Sequence, residues 1–106
     1  MRIDLHPEAR AEVRAAAIWY DEREQGLGDR FVSEVASVLT RIGDAPRSSP
    51  IWVESEAFRE PVRKASVRGF PYLIAFEVLR DTIFVLAVAH GKWRPLYWLP
   101  RPRRPV

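Results

Sequence analysis

The sequence predicts an α+β domain in which an antiparallel helix hairpin packs on a small antiparallel β-sheet, in the order β-α-α-β-β-β. Three observations lead there. Two stretches in the first half repeat apolar residues at helical spacing. Two nearly continuous apolar runs in the second half, 72–78 and 82–89, have the length and composition of covered strands. The joins between elements are short and carry glycine, proline or aspartate, which favours antiparallel neighbours.

Taken in order, Arg2-Ile3-Asp4-Leu5 alternates polar and apolar residues, as a short strand does. Pro7 suits the first position of a helix and Glu8 its first turn, with His6 flanking the helix start. Ala9, Val13, Ala16, Ala17 and Tyr20 form the buried stripe, and Gly26-Leu27-Gly28 ends this helix. Asp29 is the expected cap of a second helix, whose stripe is Phe31, Val35, Val38, Leu39 and Ile42 and which Pro46 ends. Residues 47–50 are a loop, and 51–58 hold at most a short extended piece. Residues 62–68 read as a strand with Ala65 and Val67 on one face and Lys64, Ser66 and Arg68 on the other. Turns at Gly69-Phe70-Pro71 and Arg80-Asp81 separate it from the two apolar strands. Residues 1–99 make a single domain, and the Pro/Arg-rich residues 100–106 are expected to be an extended, exposed basic tail that contributes little to folding.

Composition narrows the function. With 47% apolar and 29% charged residues, the 106-residue chain resembles an ordinary globular domain able to bury one core. The absence of cysteine excludes disulfides and thiolate metal sites, and two distant histidines offer no metal-binding pattern. The start has no signal-peptide pattern and no run is long enough to span a membrane, so a cytoplasmic protein without metal or cofactor is expected. Charge is segregated. Residues 1–58 hold 7 Lys+Arg against 11 Asp+Glu, net −4, whereas residues 59–106 hold 10 against 3, net +7. A basic half of this kind either meets an acidic partner or nucleic acid, or pairs with the acidic helices of its own domain.

No phosphate-binding glycine loop and no nucleophile-elbow serine is present. What remains is a basic and aromatic set at the strand ends. Lys64, Arg68, Lys92 and Arg94 are candidate target-binding residues, because cations there would grip an anionic surface. Arg68, Arg94, Tyr97 and His90 would form the catalytic set if the protein is a nuclease, with the arginines stabilising developing charge and His90 or Tyr97 moving a proton. The competing structural readings are that Trp93 and Trp98 plug the open side of the sheet, that His90 caps a strand end, and that Arg63 pairs with a helix acid such as Glu12 or Asp21.

Several segments, taken in order, resemble toxins of the RelE/ParE superfamily of bacterial type II toxin–antitoxin systems. They are the Ala9…Tyr20 helix, Gly28-Asp29-Arg30-Phe31-Val32…Glu34-Val35, Arg41-Ile42…Pro46, Val62-Arg63-Lys64, Gly69-Phe70-Pro71-Tyr72-Leu73-Ile74, and 85–92 followed by Arg94-Pro95 and Tyr97-Trp98. The resemblance spans roughly residues 2–99. It implies a helix hairpin on a small antiparallel sheet, a cognate antitoxin as partner, and growth inhibition, as in plasmid-stabilising modules. RelE-like members cut messenger RNA on the ribosome, using basic sheet residues and commonly a tyrosine near the C-terminus. ParE-like members act on DNA gyrase and lack that set. The ending His90-Gly91-Lys92 with Arg94 and the long helix end at Tyr20-Asp21-Glu22-Arg23 look closer to the ParE-like branch. The resemblance therefore implies a toxin acting on DNA gyrase or a related target. The alternatives are a ribosome-dependent endoribonuclease and a non-toxic partner-binding domain.

Overall fold

In a computed structural model, which describes residues 1–56 and 58–101, strand β1 (Arg2–Leu5) leads into helices α1 (Pro7–Arg23) and α2 (Leu27–Asp44). A 3-10 turn at Pro46–Ser48 follows, then strands β2 (Ile51–Val53), β3 (Val62–Ser66), β4 (Tyr72–Val78) and β5 (Thr82–His90). The five strands form one sheet in the order β1-β5-β4-β3-β2. The expected α+β class and the hairpin on the sheet are both present.

The local chemistry explains the boundaries. His6 caps α1 by accepting the Glu8 N–H at Nδ1, 3.0 Å, while its own N–H continues the β1 ladder to the Val85 carbonyl, 2.8 Å. Helix α1 buries only Ala9 and Ala16 fully, so small residues let it lie close to β5 and α2. Helix α2 buries Phe31, Val35, Val38 and Ile42 along one stripe. Its start differs from the expectation. The helix begins at Leu27, two residues before Asp29, behind Gly26 in the left-handed region at φ +90°. The cap comes from the preceding helix instead: Asp21 Oδ1 accepts the Gly28 N–H at 2.7 Å. That crossing is tight. A Cβ on Gly28 would lie 2.3 Å from the Ala17 carbonyl oxygen.

The sheet is apolar on both faces. On the helix side, Phe31, Val38, Ile42, Ile74, Phe76, Ile83, Val85 and Val88 share one core. On the other, Val62, Ala75, Phe84, Leu86, Ala87 and Ala89 are covered by Trp98, which is 0% exposed and lies 5.3 Å, ring to ring, from Trp52. Residues Val85 and Val88 face the same side because β5 bulges: Ala75 pairs with Ala87 and Phe76 with Val85, leaving Leu86 as an extra residue.

Five expectations are corrected. Strand β1 runs parallel to β5: the helix hairpin brings the chain back as β2 in the opposite direction, and three antiparallel pairings from β2 to β5 reverse it again. Strand β3 stops at Ser66, because Val67 already turns to accept the hairpin, its N–H bonding the Tyr72 carbonyl at 3.0 Å. Arg63 pairs with no helix acid; its Nη1 donates to the Ser49 carbonyl at 2.7 Å and the Arg47 carbonyl at 3.3 Å, fastening the segment after α2. Trp98 plugs the sheet as expected, but Trp93 is 43% exposed. Arg101 is also not exposed: its side chain is 12% accessible and packs against α1. The rest of the expected tail, residues 102–106, lies outside the described residues.

Candidate partner-binding site

The candidate residues fall into two sets. Lys64 and Arg68 line a groove of about 940 Å³ between the C-terminal half of α2 and the outer side of β3. Its apolar wall includes Val38, Ile42 and Ala65, and Arg41 adds a third cation. The groove exists because β2 is short. It pairs with β3 only at Val62 and Arg63, and the Lys64 N–H reaches the Pro50 carbonyl at 3.1 Å. Beyond that point the alternation of the strand turns the Ser66 N–H and C=O outward, and no described strand pairs with them. An unpaired edge beside an apolar groove is a template for an added strand. Lys64 Nζ also lies 5.4 Å from the Trp52 ring centroid, so its stem is oriented.

The second set sits at the end of β5. His90 accepts the Lys92 N–H at Nδ1, 3.0 Å, so its strand-end cap is real and its other nitrogen carries the proton in the neutral ring. Its ring packs against Tyr72 at 5.1 Å and Trp93 at 6.0 Å. His90, Arg94 and Tyr97 line a small pocket of about 130 Å³, whereas Lys92 is exposed and lies outside its lining. The Gly91 N–H bonds the Pro71 carbonyl at 2.8 Å, so the turn after β5 lies beside the turn between β3 and β4. The two sets thus share one end of the sheet but line different cavities.

A third constellation was not foreseen. After β1 ends opposite Val85, the next residues of β5 have no strand on that side among the described residues. Side chains take its place. Glu12 of α1 accepts the Val88 N–H at Oε1, 2.9 Å, and Arg101 donates to the Leu86 carbonyl at 2.9 Å. Arg101 also grips Glu12 with both nitrogens, at 3.1 and 2.7 Å, and the Tyr97 hydroxyl donates to Glu12 Oε2. Both charged side chains are 12% exposed. Burial, followed by the hydrogen bond to Glu12 and its charge, pushes the Tyr97 hydroxyl well above its ordinary range. Burial alone would lower the Arg101 guanidinium, but the bonds to Glu12 and its charge outweigh that and hold it charged. The sequence signal was available: Glu12 stands three residues after Ala9 and four before Ala16, an acid on the buried stripe.

Among the described residues no cluster of histidine, aspartate and glutamate is placed to hold a metal ion, and no helix is long and apolar enough to cross a membrane. No family model matches the chain, and no curated protein does. Among solved structures, a chain of the chromosomal ParDE TA system from P. aeruginosa is similar, with a TM-score of 0.70 and 16% identity over 87% of this chain and 97% of that one. At this identity the likeness establishes a shared fold, which agrees with the resemblance drawn from the residues.

Proposed function

We propose that the protein is the toxin of a type II toxin–antitoxin module, held inactive by a cognate antitoxin and inhibiting growth by binding a protein target, with DNA gyrase as the family precedent. The fold shared with a chain of a ParDE TA system supports the class. The open β3 edge with its apolar groove and three cations suits an acidic antitoxin segment that adds a strand and lays apolar side chains against Val38 and Ile42. Lys92 and Arg94 are exposed at the β5 end and serve as target contacts; Arg68, between the two sets, belongs to either.

The observation that favours binding over messenger cleavage is the state of Tyr97. A general acid or base must titrate near the working pH and reach the substrate. Tyr97 is committed to Glu12, with its hydroxyl pushed up and away from that range. His90 and Arg94 remain beside it, so the nuclease reading keeps a definite test. Induced expression without a partner should arrest growth, and the purified protein should inhibit gyrase supercoiling. Ribosome-dependent messenger cleavage that disappears in Tyr97→Phe would replace this reading by the nuclease one. An acidic reading frame directly upstream should encode a protein that copurifies with the chain.

A further inference from the structure

A separate cleft of about 520 Å³ opens between α1 and the end of the sheet, away from the β3 groove. Its walls are Trp19, Tyr20, Tyr72 and Trp93, and its floor is Ala15 and Ala16. The cleft exists because α1 carries alanine at both floor positions, where any larger side chain would fill it. The two tryptophans are not core residues: Trp19 is 51% exposed and Trp93 43%. Exposing two indoles on a small domain is unfavourable unless something covers them.

The walls are set before any ligand arrives. Trp93 stands edge-on to Tyr72 at 5.9 Å and to Tyr97 at 5.7 Å. Trp19 stands edge-on to Tyr20 at 5.2 Å, and the Arg23 guanidinium lies 3.6 Å from its centroid while donating to the Trp19 carbonyl at 3.1 Å. A preformed aromatic cleft loses little side-chain entropy when it is filled.

The charges choose the occupant. Inside, the titratable groups other than the tyrosines are Glu12, already neutralised by Arg101, and His90. No lysine or arginine lines the cleft, so a phosphate would find no cation within it. Outside, Lys92 and Arg94 flank Trp93 in sequence and both are exposed, whereas Arg23 on Trp19 is paired with Glu22 at 3.7 Å, so the cations at the rim gather on the Trp93 side. We infer that this cleft receives an aromatic or large apolar anchor side chain from an acidic segment of the protein target, so that the anchor is buried between Trp19 and Trp93 while flanking carboxylates meet the cations at the rim. Tryptophan-lined pockets that accept one buried anchor are where binding energy concentrates in protein interfaces. The inference rests on the proposed toxin reading, and its test separates the two.

The probe is the peptide acetyl-Asp-Glu-Phe-Glu-Asp-amide, titrated into the full-length protein labelled with nitrogen-15. The chain has four tryptophans, so four indole signals are followed. The expected result is movement of the Trp19 and Trp93 signals with those of Trp52 and Trp98 unchanged, and a loss of at least about tenfold in affinity when the peptide's phenylalanine becomes alanine. Ala15→Leu, which fills the exposed floor without removing a core residue, should abolish the shifts and relieve growth arrest while the variant still binds the antitoxin. Shifts at Trp52 or Trp98 instead, no shift at all, or tighter occupation of the same indoles by hexauridylate RNA would each overturn the assignment. Growth arrest undiminished in Ala15→Leu overturns it while leaving the toxin reading intact. A wild-type chain that arrests nothing sinks the toxin reading, and the peptide titration still decides the cleft.

Discussion

At the scale of single residues, two polar centres, one buried around Glu12 and one at the helix crossing, carry more of the structure than their number suggests. Glu12 accepts from three residues, Val88 on β5 and Tyr97 and Arg101 in the segment after it. Glu12→Ala strands all three, and breaking a buried pair costs about 3–5 kcal/mol, so chemical denaturation should show a loss of that size. Tyr97→Phe removes one charge-assisted bond and should cost about 1.5–3 kcal/mol. The same tyrosine predicts a pH signature. Its hydroxyl titrates higher in the folded state than its ordinary value of 10.0, so the native state holds the proton more tightly. That stability is fully present below pH 10.0 and is lost as pH rises toward the folded value. Alkaline melting curves should therefore fall more steeply for the wild type than for Tyr97→Phe, and equal slopes would contradict the assignment. Asp21 and Gly28 form the second centre. Asp21→Ala should cost about 1 kcal/mol as a lost helix cap. Gly28→Ala should cost more, because its methyl would lie 2.3 Å from the Ala17 carbonyl and the helices would have to part. A thermal scan in which the two variants rank the other way would show that the crossing gives easily. Neither centre was easy to read in sequence. An acid at position 12 interrupts an alanine stripe and hints at burial, but its partners lie 76 to 89 positions away.

At the scale of elements, periodicity and turn chemistry were legible where each element is governed by its own residues. The α2 stripe, the two apolar strands and the turns at Gly69 and Asp81 follow from local pattern alone. What escaped depends on other elements. The start of α2 moved to Leu27 because α1 supplies the cap. The Arg63 side chain followed parity to the helix face but met carbonyls of the 47–49 segment rather than an acid. The Pro/Arg-rich ending was read as solvated from composition, yet Arg101 replaces a missing strand along β5. This reverses the expectation for truncation. A chain ending at Leu99 leaves the buried Glu12 without its cation, a penalty of about 3 kcal/mol or more. For a domain of this size that corresponds to a fall in Tm of more than about 10 °C. Arg101→Lys should recover only part of it, since one ammonium replaces a fork that bonds Glu12 twice and Leu86 once. A truncated chain that melts with the wild type would show that the Glu12 site is hydrated without the arginine.

At the scale of the whole molecule, the charge segregation along the chain becomes a segregation in space. Some cations of the second half are absorbed internally, Arg63 on backbone carbonyls and Arg101 on Glu12. Of the others, Lys64 and Arg68 join Arg41 at the β3 groove, and Lys92 and Arg94 stand exposed at the β5 end. On the proposed toxin reading, one surface meets the antitoxin and another acts on the target, so the two sets predict separable phenotypes. Reversing the groove cations in Arg41→Glu/Lys64→Glu should slow association with the acidic antitoxin and flatten its salt dependence while leaving free-toxin growth arrest intact. Lys92→Glu/Arg94→Glu should weaken growth arrest and leave antitoxin association nearly unchanged. Exposed charges act mainly on encounter rates, so the effects belong in the association phase and fade at high salt. Stopped-flow association at two ionic strengths, set beside growth curves of the same variants, reads both. If both double variants lose both properties together, the antitoxin and the target compete for one continuous surface, and the division into a β3 groove and a β5 end has no functional meaning.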